Sequence, residues 1–192
     1  LFRSLLALVA CTPEKKQEAD YSQYVNPMIG TDFTGNTYPG AQVPFGMVQL
    51  SPDNGLPGWD RISGYFYPDT TIAGFSHTHL SGTGAGDLYD ISFMPVTRPY
   101  KEAPAPLGIY STFSHNDEAA SAGYYRVLLK DYNINVELTA TERCGIQRYT
   151  FPEAEASVFL NLKKAMNWDF TLDSKIEVVD STTIRGYRLS QG

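Results

Sequence analysis

Basic residues, cysteines and long apolar runs are all scarce in this sequence. Lysine and arginine number 15 against 21 aspartates and glutamates, and the resulting net charge of -6 argues against the broad positive surface of a nucleic-acid-binding protein. Only two cysteines occur, so we expect no disulfide framework and a fold stabilised by its packed core. The apolar run Leu5–Ala10 is much shorter than the roughly 20 residues that a membrane-spanning helix needs.

The N-terminus has the pattern of a bacterial lipoprotein signal. Arg3 precedes the apolar run, and Leu8–Cys11 resembles the lipobox, where signal peptidase cleaves before a cysteine that carries diacylglycerol. We therefore expect a signal peptide over 1–10, lipidation of Cys11, a polar tether over 11–22, and an exported protein anchored to the bacterial membrane on its periplasmic or outer side. Because the chain starts without Met, we expect part of the leader to be missing. The alternative is an apolar N-terminus with a chance cysteine.

The rest of the chain has the composition of a β protein. Glycine and proline interrupt residues 25–57 too often for a helix, so we expect an ordered loop with short strands such as Met47–Leu50. Further strands are predicted at Ile62–Tyr67, Thr71–Phe75, Tyr89–Met94, Tyr124–Lys130, Ile134–Ala140, Gly145–Phe151, Val158–Leu162, Ile176–Val179 and Thr183–Leu189.

This succession of short strands, without alternating helices, predicts a mainly β domain over 23–192, built as a two-layer antiparallel β-sandwich. Partial alternation on both sides of Asp131–Asn133 predicts a hairpin there. Cys144 lies in a strand-like stretch without a nearby histidine pattern, so we expect a buried, inert thiol. The chain stops directly after a predicted strand, so we expect a truncated domain.

One region combines an aromatic side chain, carboxylates, imidazoles and glycines. It runs from Gly58 to Tyr65 and from Gly74 to Asp87. Sugar sites use such groups, because an aromatic ring covers the apolar face of a pyranose while polar side chains bind its hydroxyls. We interpret Trp59 as a ligand contact, with a core or interface role as the alternative.

Other chemistries are less well supported in this region. His77 and His79 could share one face of a strand and hold a metal, but neutral hydrogen-bonding roles are favoured because the chain has only one further histidine. Residues 81–86 lack the Gly-Lys-Ser/Thr ending of a phosphate loop, and the chain has no Gly-x-Ser-x-Gly nucleophile elbow. A glycosidase needs two facing carboxyl groups, for which Asp60, Asp87 and Asp90 are available, although a surface or capping role is favoured for Asp90.

Long ordered motifs in this chain resemble the N-terminal domain of glycoside hydrolase family 92. They are VNPMIGT (25–31), YPGAQVPFGMVQLSPD (38–53), GWD (58–60), SGY (63–65), GFSHTHLSGTG (74–84), FSH (113–115), GYY (123–125), ELTAT (137–141) and RYTFP (148–152). The resemblance covers nearly everything after the tether.

The resemblance implies a calcium-dependent exo-α-mannosidase that trims mannose from N-glycans or mannans with inversion. It also implies a larger helical (α/α)6 domain, absent here, that carries the general acid, the general base and most calcium ligands. No catalytic or metal-binding residue is then expected in this chain, and its partners are mannose-containing glycans, its own helical domain and, through the anchor, the membrane.

By match to the family motifs, Trp59 and Asp60 are assigned as pocket contacts, His77 and His79 as positioning groups, and Asp87 as a weaker substrate-binding candidate. The sequence departs from the family pattern at Arg61-Ile62 and at Asn36, where a histidine is often found, which leaves the linkage preference open. It also departs at 163–168, a difference that indicates a subgroup without a functional meaning. Two alternatives remain: a free-standing, non-catalytic carbohydrate-binding sandwich, and an unrelated metal hydrolase that uses His77 and His79.

Overall fold

A computed structural model describes residues 19–82, 88–153, 155–163 and 169–191. The predictions for Cys11 and for Asp87 lie outside these residues. The strands are β1 (Ser51–Asp53), β2 (Thr71–Ile72), β3 (Gly74–Ser76), β4 (Ser92–Thr97), β5 (Glu102–Ala103), β6 (Gly108–Ile109), β7 (Ser111–Thr112), β8 (Glu118–Ser121), β9 (Tyr124–Leu129), β10 (Ile134–Ala140), β11 (Gly145–Thr150), β12 (Ala156–Asn161), β13 (Phe170–Val178) and β14 (Ile184–Gln191). Short 3-10 turns span Ser22–Tyr24, Trp59–Arg61 and His115–Asp117.

Two four-stranded antiparallel sheets dominate the fold and confirm the prediction of a mainly β, antiparallel architecture. The first has the order β1-β3-β4-β12 and the second has the order β11-β10-β9-β8. Three antiparallel pairs accompany them, namely β2–β7, β5–β6 and β13–β14. In the described part of the chain, no helix has the length and apolar composition needed to cross a membrane.

The β9–β10 hairpin follows directly from alternation in the sequence. Every second residue of β10, beginning at Ile134, is buried, and its buried Val136 lies opposite the buried Val127 of β9. Asn133, in the connecting turn, has a φ of 50°, a left-handed conformation that asparagine tolerates better than most residues. This hairpin confirms the one predicted around Asp131–Asn133.

One apolar cluster joins the two sheets. Phe75, Met94 and Val96 of the first sheet belong to the same buried group as Tyr125 and Leu138 of the second. Burying each such side chain contributes about 1.5–3 kcal/mol, so this shared core stabilises the stacking of the two sheets.

Two predicted strands are not observed, and several short strands were not predicted. Residues 62–67 form turns rather than a strand, because side-chain and turn hydrogen bonds satisfy their backbone: the Asn54 carboxamide oxygen accepts from the Phe66 N–H at 2.5 Å. The first strand begins at Ser51, after the predicted Met47–Leu50, although Leu50 forms an isolated bridge with Ala41. Strands β5 to β8 were not predicted, since runs of two to four residues carry too little alternation.

Cys144 is exposed, which contradicts the predicted buried thiol. The residue lies in the turn between β10 and β11, where its N–H donates to the Thr141 hydroxyl at 3.2 Å and its carbonyl accepts from the Thr141 N–H at 2.8 Å. Both backbone hydrogen bonds are made to Thr141 within the turn, and the thiol is exposed to solvent.

Candidate functional site

The Trp59–Arg61 turn presents the aromatic side chain singled out by the sequence. Trp59 is 56% exposed and Asp60 is half-buried. Gly58 precedes the turn with a φ of 152°, a conformation that side-chain-bearing residues rarely adopt, and its carbonyl accepts from the Arg61 N–H at 3.0 Å. Trp59 is therefore a surface residue, and the core role considered as its alternative does not apply.

His79 and Asp53 form a buried hydrogen-bonded pair beneath this region. His79 Nε2 lies 2.8 Å from Asp53 Oδ1, and both side chains are fully buried. His79 Nδ1 lies 2.7 Å from the Gln49 carbonyl, so both ring nitrogens have a hydrogen-bond partner within the protein. The Ser76 hydroxyl donates to Asp53 at 3.0 Å.

This group of serine, histidine and aspartate is not arranged for nucleophilic catalysis. In a catalytic triad the aspartate and the serine bind opposite nitrogens of the histidine, whereas here both Asp53 and Ser76 lie beside Nε2 of His79. The histidine has no nitrogen left to bind a substrate. The arrangement can hold neighbouring segments in place.

A short series of contacts connects His79 to the Trp59–Arg61 turn. The His79 and Tyr89 rings meet edge to face at 5.5 Å between centroids. The Tyr89 hydroxyl donates to the Ile62 carbonyl and lies 3.4 Å from the Arg61 carbonyl. The structure therefore brings His79 together with the turn through Tyr89, in line with a positioning role.

Gly64 sits where these groups converge. An added Cβ would lie 2.6 Å from Tyr89 Cε1 and 3.0 Å from both Asp53 Oδ1 and His79 Cδ2, and the φ of 87° already favours glycine. The Gly64 carbonyl accepts from the Asn54 N–H at 2.8 Å. A side chain at this position would push the turn away from its support.

His77 lies on a different side of this region. Its Nδ1 donates to the Ile91 carbonyl at 3.0 Å, and burial lowers the pKa of its imidazole, which favours the neutral form. An added Cβ on Gly145 would lie 3.0 Å from His77 Nε2, so the second nitrogen packs against the start of β11. His77 thus contacts the second sheet, and no contact between it and Trp59 is among the described interactions.

The carboxylates of the region have distinct environments. Asp90 pairs with the buried Arg188 and accepts from the Thr78 hydroxyl at 2.9 Å, which gives it a structural role. Asp53 is bound to His79, as above. Asp60 lies half-buried in the turn, next to the exposed Trp59.

The described residues do not fit the calcium site that the resemblance implies for the whole enzyme. Within the described ranges, no three side chains of His, Cys, Asp or Glu converge as a metal site requires. Both nitrogens of His79 are engaged, which also removes the basis for a metal shared between His77 and His79.

Sequence reasoning missed Asp53, Gly64 and Tyr89 as parts of this site. Asp53 lies 26 positions before His79, a separation that carries no local signal. The one sequence signal was that Asp53 ends the family-like motif 38–53 and that Gly64 lies in the family-like motif 63–65. Such motifs mark positions without indicating which side chains meet.

Comparisons with known proteins agree on one family. The profile of the glycosyl hydrolase family 92 N-terminal domain matches residues 24–192. A family GH92 α-mannosidase from Bacteroides thetaiotaomicron, solved in complex with mannoimidazole, is 42% identical with a TM-score of 0.83, over 89% of this chain. A family GH92 inverting mannosidase from B. thetaiotaomicron VPI-5482 is 28% identical with a TM-score of 0.70, over 92% of this chain.

A curated relative is more distant in sequence. An uncharacterized secreted glycosidase from Arthroderma benhamiae is 27% identical over 161 residues, which is 79% of this chain. The chain spans 20% of that protein and 23% to 24% of the two bacterial mannosidases. It therefore corresponds to about a quarter or less of each of these relatives.

Proposed function

The chain belongs to glycosyl hydrolase family 92, whose N-terminal domain it represents, and we propose that it forms one wall of the sugar pocket of an α-mannosidase. The enzyme would hydrolyse terminal α-linked mannose of N-glycans or mannans with inversion. Similarity to an α-mannosidase solved with mannoimidazole and to an inverting mannosidase supports mannose as the sugar and inversion as the outcome.

The exposed Trp59, held on a turn above buried polar residues, is the observation that carries the proposal. Its ring offers an apolar face of the kind on which a pyranose stacks, and its 56% exposure leaves that ring open to a ligand. The adjacent Asp60 carboxylate would accept hydrogen bonds from sugar hydroxyls and so fix the direction of the bound mannose.

Substitution of Trp59 in the full-length enzyme tests this wall directly. We expect Trp59→Ala to raise KM for an α-mannoside about tenfold, which corresponds to about 1.4 kcal/mol of lost binding. Tyr24→Ala is the matched control, because Tyr24 is also an exposed aromatic residue of a 3-10 turn. An unchanged KM in Trp59→Ala would contradict the proposal.

We also propose that catalysis requires residues outside this chain, in the helical domain that the family implies. The chain covers only 23% of the similar α-mannosidase, and Asp53 and Asp90 are already bound to His79 and Arg188. The purified 192-residue chain should therefore release no mannose above a Trp59→Ala/Asp60→Ala control. Hydrolysis above that control would refute this assignment, and mannose binding without hydrolysis would support the carbohydrate-binding alternative.

Export with a lipid anchor at Cys11 completes the proposal. The lipobox-like Leu8–Cys11 segment supports it, and the secreted fungal relative supports export. In a bacterial host, radiolabelled palmitate should be incorporated into the wild-type chain and lost in Cys11→Ser. Equal labelling of both would contradict the anchor.

A further inference from the structure

We infer that Arg61 is a positioning residue for the sugar pocket, and that it fixes the Trp59–Asp60 turn by its ion pair with Asp69. The inference rests on the proposed function, in which Trp59 and Asp60 contact the sugar. Arg61 itself is not proposed to contact the sugar, because its guanidinium is bound to Asp69.

The turn has little holding it from within. None of its three residues is buried. A three-residue 3-10 turn has few backbone hydrogen bonds of its own, and such short helical segments are marginal without tertiary contacts. The orientation of Trp59 must therefore come from contacts outside the turn.

Arg61 provides one set of those contacts. Its Nε and one terminal nitrogen donate to the two carboxylate oxygens of Asp69, each at 2.6 Å. The guanidinium carbon also lies 4.7 Å from the centroid of the Phe66 ring. The hydrogen bond that Arg61 donates to Asp69 is the main cause that raises the pKa of Arg61, and a two-pronged pair of this kind fixes direction as well as distance.

Asp69 is itself fixed to the body of the domain. Its side chain is 8% exposed, and its N–H donates to the Phe66 carbonyl at 2.9 Å. The Phe66 N–H is bound by buried Asn54, and the next residue, Tyr67, donates to the Thr31 carbonyl at 2.8 Å. The ion pair thus ties an exposed turn to a segment with several independent anchors.

The pair also keeps Arg61 away from its neighbour. Asp60 attracts the guanidinium, and its charge adds to the raised pKa of Arg61 after the hydrogen bond and charge of Asp69. With Asp69 present, the Asp60 oxygens stay available for sugar hydroxyls. Loss of Asp69 would leave Arg61 free to pair with Asp60, whereas loss of Arg61 would only loosen the turn.

These roles predict an order of effects in the full-length enzyme. We expect Arg61→Met to raise KM for an α-mannoside about tenfold and Asp69→Asn to raise it further, with kcat within about threefold of wild type in both. Arg61→Lys, which keeps the charge but loses the two-pronged geometry, should fall between wild type and Arg61→Met.

Arg148→Met is the matched control. Arg148 makes the same two-pronged contact with Glu137, at 2.6 and 2.5 Å, but on the surface of the β10–β11 ladder. This variant should retain the wild-type KM. Melting temperatures of all variants report folding, and Arg61→Lys remains available if Arg61→Met does not fold.

The inference is overturned if Trp59→Ala raises KM while the folded Arg61 and Asp69 variants keep the wild-type value. It is also overturned if these variants lose activity only in proportion to folded enzyme, because a purely structural pair would lower the active fraction without changing KM. If Trp59→Ala leaves KM unchanged, the proposed function fails first, and the inference fails with it.

Discussion

Gly64 illustrates how a single residue can decide whether the site forms. Two separate costs arise when alanine replaces it: strain at a left-handed φ, of order 1–3 kcal/mol, and overlap with Tyr89, Asp53 and His79. Gly108 has a comparable φ of 65° but no atom within 4 Å of an added Cβ, so it isolates the first cost.

We therefore expect Gly64→Ala to lower the free energy of unfolding by about 1–3 kcal/mol more than Gly108→Ala does. Urea denaturation of both variants measures the difference. Equal losses would mean that the space around Gly64 is less crowded than its contacts indicate.

His77 gives the domain a defined response to acid. Burial lowers the pKa of its imidazole, so the folded chain holds it neutral at pH values where the unfolded chain, with an ordinary value of 6.5, has bound a proton. The unfolded state then binds more protons, and stability falls as the pH drops below about 6.5.

His77→Asn should weaken this response, because the asparagine amide can still donate to the Ile91 carbonyl but does not titrate. Melting temperatures at pH 7.5 and pH 5.0 provide the measurement. The drop between the two pH values should be smaller in His77→Asn than in wild type. Identical drops would assign the acid sensitivity to other groups.

At the scale of elements, regular alternation was predictable from sequence and long-range pairing was not. Strand β10 has the predicted bounds because every second residue is apolar. Strand β13 was predicted only over its last residues, since it begins six residues before the predicted Ile176, and the register shifts within that earlier part, between Thr171 and Asp173. A bulge disrupts the period on which such predictions depend.

The same limit applies to the site. The prediction of sugar contact at Trp59 rests on residue types alone, and it stays a prediction. It could not identify Asp53 as the partner of His79, or Asp69 as the partner of Arg61, because those pairs are created by folding. The chemistry of a residue can be read at its own position, whereas its long-range partners depend on the folded structure.

Arg188 connects the β13–β14 hairpin to the rest of the domain. Its side chain is 1% exposed and pairs with Asp90 and with the fully buried Asp169. Removing one member of a buried ion pair costs about 3–5 kcal/mol, because the remaining charges stay buried without compensation. Arg185, on the same strand, pairs with Glu177 at the surface.

Arg188→Met should therefore increase amide hydrogen exchange in β13 and β14, while β9 and β10 stay protected. Arg185→Met should leave exchange in the hairpin nearly unchanged, because exposed pairs contribute little. Uniformly faster exchange across the whole domain in Arg188→Met would mean that the hairpin does not open as a separate unit.

At the scale of the whole molecule, Glu118 connects the segment that contains Gly64 and Tyr65 to the second sheet. Its side chain is 1% exposed and accepts hydrogen bonds from Tyr65 at 3.0 Å, Tyr125 at 2.5 Å and His115 at 2.6 Å. Tyr65 directly follows Gly64, while Tyr125 belongs to β9 and to the shared core. Burial, with a smaller contribution from the charge of Glu118, raises the pKa of both tyrosines, so they remain donors.

Glu118→Gln should lower the free energy of unfolding by about 1–3 kcal/mol, since a neutral amide cannot accept all three bonds with its single oxygen. Glu137→Gln is the control, because Glu137 also binds a tyrosine hydroxyl but lies at the sheet surface. Chemical denaturation compares the two variants. A loss in Glu118→Gln no larger than in Glu137→Gln would refute the bridging role.

The exposed Trp59 turn has a consequence for how the protein can evolve. None of its three residues belongs to the core, so substitutions there avoid the folding penalty that acts on Gly64 or Glu118. Substitutions at positions 59 and 60 can therefore be tolerated while Arg61 and Asp69 keep the turn in place. Under the proposed function, the glycan specificity of the enzyme could in this way change without a prior increase in the stability of the domain.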